Sequence, residues 1–464
     1  MTSVASALPG SRTVYTAQWV LPMTSAPIVN GAVVVEGTRI AFVGRASELP
    51  SQYDRDRRVD LGVAALLPGL VNAHTHLELT AMRGFLEGLA FRDWLTVLTR
   101  ARRECFDEAS LSDSACAGIE EALRNGITTC ADTTESGATI AAMRDLGMRG
   151  IAYLEVFGPD PAQCATAIAG LERRAVEFRQ HDTLLVRTGL SPHAPYTVSA
   201  ALFRAVADLA RHEQWPVAIH VAESVAETRF VRDADGPFAE GLRARDITVA
   251  PQARSPIALL EACGALDCAP LLIHAIHVDA ADIACMADRG ARVAHCPISN
   301  LKLGHGIAPL EQFHTAGIPI GLGTDSVASN DRMDLLGEAR QAALLYAMGR
   351  GVPDALDAHE ALKLATVGGA RAVGLADRVG ALEVGKEADL AAFSLGHADA
   401  RPVHDPAVTL VHVLAGAASA VLVVVAGRER VRNGVVLDAD ASRHARVELL
   451  GDRLRAWRVR YLAS

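Results

Sequence analysis

The sequence predicts an α/β fold, a (βα)8 TIM barrel carrying a small sheet domain, and three observations support that expectation. The chain has 464 residues with 50% hydrophobic content, enough for one large core plus an appendage and too much for a single small domain. Both ends read as β structure. Between them, from about Leu67 to Leu375, short apolar runs alternate with Ala-rich helical stretches.

Taken in order, Gly31 to Gly44 (GAVVVEGTRIAFVG) is an apolar run, a turn at Glu36-Gly37-Thr38 and a second alternating run. The middle offers the strand candidates ALLPGLVNAHTHLE, GITTCADTT, GIAYLEVFG, LVRTGLSPHAPY, VAIHVAES, LLIHAIHV, ARVAHCPISN and PIGLGTDSV, with helices such as Leu111 to Asn125 and Ser199 to Glu213 between them. Eight such units over about 300 residues match a barrel. An open doubly wound sheet could also hold them, and no Gly-rich phosphate fingerprint decides the matter. Strand-like sequence then returns in ADLAAFSL and in SAVLVVVAGRERVRNGVVLD, with a turn at Asn433-Gly434. Residues 1–66 and 378–438 are therefore expected to share one sheet domain. Residues 67–377 are expected to form the catalytic barrel, and 439–464 a C-terminal helix.

Charge and composition narrow the function. A net charge of −9, from 45 basic and 54 acidic residues, argues against nucleic acid or an anionic membrane as the main partner and leaves a small-molecule substrate. Eight cysteines lie scattered with no CxxC pair, so neither a disulfide framework nor a thiolate zinc cluster is indicated. The opening MTSVASALPGSRTVYTAQWVL has no basic segment followed by an unbroken apolar one, as a signal peptide would. The most apolar run, Ala418 to Gly427, falls short of the roughly 20 residues a membrane helix needs. A cytoplasmic protein is expected, with a homodimer as its assembly.

Polar chemistry gathers at the C-terminal ends of the strand candidates, where barrels build active sites. The first ends in His74-Thr75-His76, and a strand's period of two turns both imidazoles to one face. Alone, such a pair is more often a surface feature. Strand five adds His220 and Glu223, strand six His274 and His277, and strand eight Asp325 in GTDS, an aspartate that in isolation reads as a helix cap. Together they offer neutral imidazoles and a carboxylate, which suit zinc or ferrous iron and leave room for a water. Such an ion brings the pKa of a water toward 7.

Read together, PGLVNAHTHLE, SPHAPYT, HVAES, HAIHVD, HCPISNLKLGHGIAPL, LGTDSVASND and the closing GALEVGKEADL resemble the amidohydrolase superfamily, in its mononuclear deaminase branch, over nearly the whole chain. The resemblance implies one divalent metal ion per chain, zinc with iron as the alternative, held by His74, His76, His220 and Asp325. It implies catalytic roles for Glu223, His274 and Asp325, and a β-sandwich made of the terminal strands. Binuclear members usually bridge two metals with a carboxylated lysine on strand three or four. The three lysines here are Lys302, Lys363 and Lys386, so no lysine precedes Lys302 and a single ion is favoured.

The implied reaction is hydrolytic deamination. Asp325 takes a proton from the attacking water, Glu223 protonates a ring nitrogen and then the leaving amine, and His274 holds the oxygen by a hydrogen bond. The loop from His295 to Leu303 resembles that of adenosine, thiomethyladenosine and adenosylhomocysteine deaminases and of triazine chlorohydrolases; the presence of Glu223 favours amine release. The string HTHLE followed by Phe91-Arg92-Asp93-Trp94-Leu95 looks most like aminodeoxyfutalosine deaminases of the menaquinone route. Glu78 would continue the alternation of His74 and His76 and accept hydrogen bonds from ribose hydroxyls; a solvated rim carboxylate is the competing reading. His193, Asn300 and Ser326 are further candidates for substrate contact, although His193 could equally order its own loop. His277 and His295 read as supporting groups, and His305 and His314 as solvent-facing. Guanine, cytosine or triazine hydrolysis on the same site, or a catalytically silent scaffold, are the alternatives.

Overall fold

The computed structural model describes residues 12–352, 355–417 and 419–463. Residues 1–11, which the expected sheet domain includes, and Ser464 lie outside them.

Eight parallel strands form the centre: Leu70–Thr75, Ile127–Thr134, Arg149–Val156, Val186–Pro192, Ala218–Val221, Leu271–His274, Arg292–His295 and Ile320–Leu322. They are called strands one to eight below. Strands one to four pair in sequence, as do five to eight. The two halves join through bridges at Leu190–Val217 and Thr75–Asp325, which close the barrel. Asp325 N–H donates to the His74 carbonyl at 3.0 Å across the second seam. The eight strands are the eight expected from the sequence, and the open-sheet alternative is set aside by the closure.

Val71, Ala73, Ala131, Ile151, Tyr153, Ala218, Ile273, Ala294 and Cys296 form one buried cluster. Because strands one, two, three, five, six and seven all contribute to it, this cluster fills the barrel interior. Val71 and Ala73 have the opposite parity to His74 and His76, yet both pairs serve the inside. The pairing of strand one to strand two slips between Asn72 and Thr75, and a slip of this kind re-aims the side chains that follow it. Gly323 explains how closely the strands approach here. A Cβ at that position would sit 2.9 Å from the Cβ of His74 and 3.0 Å from the Sγ of Cys296.

Strands from both ends make one nine-stranded sheet, in which Ala64–Pro68 pairs with Arg12–Val20 on one side and with Leu390–Ser394 on the other. The chain therefore leaves this sheet at Gly69, slightly beyond the expected change at 66, because the apolar run ALLPGLVN is divided between sheet and barrel. The hairpin turn at Gly37 and that at Asn433-Gly434 are as expected. Asn433 and Gly434 have φ of 51° and 78°, the left-handed pair that suits a tight hairpin. The sheet folds over on itself as a sandwich. Tyr15 Oη donates to Glu429 at 3.2 Å although three strands lie between their own in the sheet order, a spacing of about 19 Å were the sheet flat.

The closing motif fastens sandwich to barrel. Arg149, fully buried at the start of strand three, donates to Asp389 at 2.7 and 3.0 Å and to Glu387 at 3.3 Å. A buried guanidinium is tolerable only when paired in this way. The last helix, Ala441–Ala463, packs its Leu450, Leu454 and Trp457 against Met82, Phe85, Leu86 and Trp94. It thus supports the segment between the HTH motif and helix Phe91–Cys105. Among the described residues, no helix is long and apolar enough to cross a membrane.

Candidate active site

The strand ends converge as the motifs require. The ring centroid of His74 lies 4.8 Å from those of both His76 and His220, and 6.0 Å from that of His274. Asp325 Oδ1 is 3.2 Å from His74 Nε2 and 3.5 Å from His76 Nε2. Three of the turns that aim these groups use left-handed backbone without glycine: Ala222 at φ 52°, His274 at 71° followed by Ala275 at 46°, and Asp325 at 55°. Each costs about 1–3 kcal/mol, and such strain is held where the surrounding structure over-determines it.

Burial keeps three of these imidazoles, those of His76, His220 and His274, neutral. It pushes His76 down to about 3, aided by His74, and His274 down to about 4, while His220 falls well below its usual value beside His193 and His74. Their nitrogens therefore offer lone pairs at neutral pH. Burial acts to raise Asp325, but the hydrogen bond of His74 and its coulombic pull outweigh it and hold the carboxyl well below the usual range. Neutral imidazoles around an ionised carboxylate are a donor set that fits zinc or ferrous iron.

Glu223 faces this cluster from the turn after strand five. Its Oε1 lies 3.6 Å from His274 Nε2 and 3.5 Å from His305 Nε2. Burial, then Asp325 and Glu227, push its carboxyl well above the usual range. Glu227 fixes the turn itself by accepting from the Ala222 and Glu223 N–H groups at 2.7 and 2.9 Å.

Asn300 and Ser326 each spend one polar atom inside the protein, and His305 departs from its reading. Asn300 accepts from His274 Nδ1 at 2.9 Å, so its amide oxygen serves an imidazole and leaves Nε2 of His274 as the lone-pair nitrogen. Ser326 is buried, and its hydroxyl accepts from the Ala328 N–H as a helix cap. His305, read as solvent-facing, is buried against Glu223 with its ring 4.4 Å from that of Phe91. His314 is exposed as expected.

Glu78 departs furthest from its reading. Strand one ends at Thr75 and a tight helical turn, Leu77–Met82, follows, so the strand alternation stops before Glu78. Its buried carboxylate is no solvated rim group. It accepts from the Thr134 and Ser136 hydroxyls and pairs with Arg102 at 3.3 Å. His193 is half-buried, bonded through Nδ1 to the Thr197 hydroxyl at 2.8 Å, with its ring 4.8 Å from His220 and 4.9 Å from Phe157. Both of its readings, loop ordering and a place at the pocket, are compatible with that position.

Sequence reasoning missed four residues. The hydroxyls of Ser299 and Ser329 hold Asp325 Oδ2 at 2.5 and 3.0 Å. Both lie inside the quoted strings HCPISN and GTDSVASND, so the motif contained them without revealing their target. Glu227 and Glu155 carried no signal, because an acidic residue after an apolar run is ordinarily a surface residue.

Known proteins share this sequence and fold. The chain is 32% identical to a 5-methylthioadenosine/S-adenosylhomocysteine deaminase of Moorella thermoacetica, over 91% of this chain and 94% of that protein. The structure of an adenosine deaminase from Xanthomonas campestris with bound zinc is similar at a TM-score of 0.83 and 30% identity, over 96% of this chain and 99% of the other. An aminofutalosine deaminase of Helicobacter pylori, in complex with methylthio-coformycin, shares the fold at a TM-score of 0.77 and 21% identity, over 90% of this chain and 99% of the other. The model of the amidohydrolase family matches residues 65–432, and the chain belongs to that family, as a hydrolase of carbon–nitrogen bonds.

Proposed function

We propose that this chain is a metal-dependent aminohydrolase that converts the 6-amino group of a purine nucleoside, modified at its 5′ end, to a 6-oxo group with release of ammonia. The observation that carries this is the placement of Glu223, its carboxyl raised by burial, against His274 and beside the His74, His76, His220 and Asp325 cluster. One zinc ion per chain, with iron as the alternative, would be held by those last four residues. When bound, it supplies Lewis acidity and brings the pKa of a water toward 7. Asp325, anchored by Ser299 and Ser329, accepts a proton from the attacking water. His274 has its Nδ1 proton engaged by Asn300, so Nε2 orients that water by accepting a hydrogen bond. Glu223 protonates the ring nitrogen next to the amino-bearing carbon, takes the remaining proton of the attacking oxygen and passes it to the departing amine as the C–N bond breaks, and regains its own from Asp325.

A thioether at the 5′ position, as in methylthioadenosine or adenosylhomocysteine, is the first choice of substrate. The Moorella relative, aligned over most of both chains, supports it. Aminodeoxyfutalosine is the second reading. It is favoured by the HTHLE string with FRDWL, and weakened by the engagement of Glu78 with Arg102, Thr134 and Ser136. The test is ammonia release from methylthioadenosine, adenosylhomocysteine, adenosine, aminodeoxyfutalosine, guanine, cytosine and a chlorotriazine, with metal measured on the same preparation. The expected result is one metal per chain and the highest kcat/KM on a thioether nucleoside. Fastest turnover of a free base would overturn the nucleoside reading. Two tightly held metals, both required for activity, would overturn the single-ion reading.

A further inference from the structure

We propose that Glu155 is a positioning residue for His220, taking the hydrogen of the imidazole nitrogen that faces away from the metal. The proposal rests on the reading of His220 as a ligand given above. Glu155 lies near the end of strand three, and His220 lies in strand five. A carboxylate oxygen of Glu155 and one ring nitrogen each of His193 and His220 lie within 4.8 Å of one another. His220 also belongs to a second group of this kind, with His74 and His274. An imidazole shared by two groups can turn one nitrogen to each.

Each of the two residues leaves a buried atom unsatisfied. His220 Nδ1 and Glu155 Oε1 are both buried and both lack a hydrogen-bond partner among the described residues. Their residues are 5% and 7% exposed, so bulk water is not the partner of either. Whichever nitrogen of His220 ligates, the other then carries a hydrogen and can only donate. The third member is the competing acceptor. The Thr197 hydroxyl, itself donating to the Ala194 carbonyl at 3.1 Å, takes the hydrogen of His193 Nδ1, so only Nε2 of His193 keeps a lone pair, on a ring inclined at 33° to that of His220. The Glu155 carboxyl offers two acceptor oxygens against that one nitrogen, and is the acceptor assigned here. Among the described residues no guanidinium pairs with it directly, since Arg174 donates to the backbone carbonyl of Glu155 and Arg102 pairs with Glu78 and Glu135. A ligating histidine whose second nitrogen meets a carboxylate is held in one tautomer and orientation, and becomes the more basic ligand.

The same three donors could instead take a cation of their own, and the experiment separates the two. Zinc affinity of the full chain is measured by chelator competition for the wild type, Glu155→Ala, Glu155→Gln and His220→Ala, with kcat and KM on one nucleoside. For Glu155→Ala the expected result is a roughly 10–100-fold loss of zinc affinity with KM little changed. Glu155→Gln keeps a carbonyl acceptor and should recover most of the loss. Wild-type zinc affinity in Glu155→Ala, where His220→Ala has lost it, overturns this proposal alone. Retention of zinc by His220→Ala overturns the ligand reading on which it rests. Two zinc ions in the wild type falling to one in Glu155→Ala makes Glu155 a ligand and overturns the positioning role.

Discussion

The rim of the barrel has two halves that use buried charge in opposite ways. Around strands one, five, six and eight, polar groups stand close together with their capacity unspent: neutral imidazoles, and a Glu223 carboxyl whose neighbours are lone-pair nitrogens. At the end of strand two, Glu78 and Glu135 both pair with Arg102, and Thr134 and Ser136 occupy what remains of Glu78. Glu78 and Glu223 are about equally buried, at 3% and 5% exposure. Only the second is left facing groups that can exchange a proton. The difference teaches that burial of a carboxyl does not mark chemistry; burial without a counter-ion does.

The sharpest way to break the comparison is Glu223→Gln. On the unspent half, removal of the titrating oxygen should cost about 10²–10⁴-fold in kcat while the metal stays bound, since Glu223 is assigned to proton transfer and not to ligation. Ammonia release together with elemental analysis measures both. Near-normal turnover would place Glu223 with Glu78 as a structural acid.

Next in size is Asn300→Ala. It removes the acceptor that fixes His274 with its proton on Nδ1, so Nε2 is no longer held as the lone-pair nitrogen. A fall of roughly 10–100-fold in kcat is expected, the usual cost of losing a partner that orients a catalytic imidazole. KM should move little. A rise in KM alone would return Asn300 to the substrate contact that its sequence position suggested.

How much of this was legible depends on what a motif encodes. His74, His76, His220, Glu223, His274 and Asp325 were readable because each follows an apolar strand, and strand ends in a barrel converge whatever the helices do. The two-ended sheet was readable from its hairpins. The internal partners of Asn300, Ser326 and Glu78 were not legible, for one shared reason. Their side chains bond to groups set by turns, and the turn after Thr75 ends the alternation that sequence reasoning extended to Glu78. His305 was misjudged because its loop, rich in glycine, reads as exposed, whereas Phe91 from a distant helix covers it. Left-handed backbone at Ala222, His274 and Asp325 has no sequence signature at all, since none of them is glycine.

Acid should act more gently, at strand seven. Burial, then His274, push His295 down to about 3, and both its ring nitrogens lack partners among the described residues. Its folded pKa lies below the unfolded value of about 6.5, so the unfolded chain binds the extra proton. Stability is then full above about 6.5 and is lost as pH falls from there toward about 3, at up to about 1.4 kcal/mol per pH unit for this group. Thermal melting of the wild type and of His295→Gln, which cannot titrate, should show curves that diverge below about pH 6.5 with the wild type falling more steeply. Parallel curves would mean that His295 has a partner at both protonation states.

The smallest effect on turnover belongs to Glu78→Ala, and it tests the spent half directly. If Glu78 bound ribose hydroxyls, the variant would raise KM for nucleosides and leave free bases untouched. The carboxylate is instead occupied by Arg102, Thr134 and Ser136, so kcat/KM should stay within about threefold of wild type on nucleosides and bases alike. The loss appears in stability. Arg102 keeps Glu135 as a counter-ion, which limits the damage, while the two hydroxyls lose their acceptor. Such a loss costs about 1–3 kcal/mol, read as a lower denaturant midpoint at constant slope. Glu78→Gln should fall between, because an amide oxygen still accepts from both hydroxyls but no longer balances Arg102. A nucleoside-specific rise in KM for both variants, with an unchanged midpoint, would move Glu78 to the chemical half of the rim and restore the role its place in HTHLE suggests.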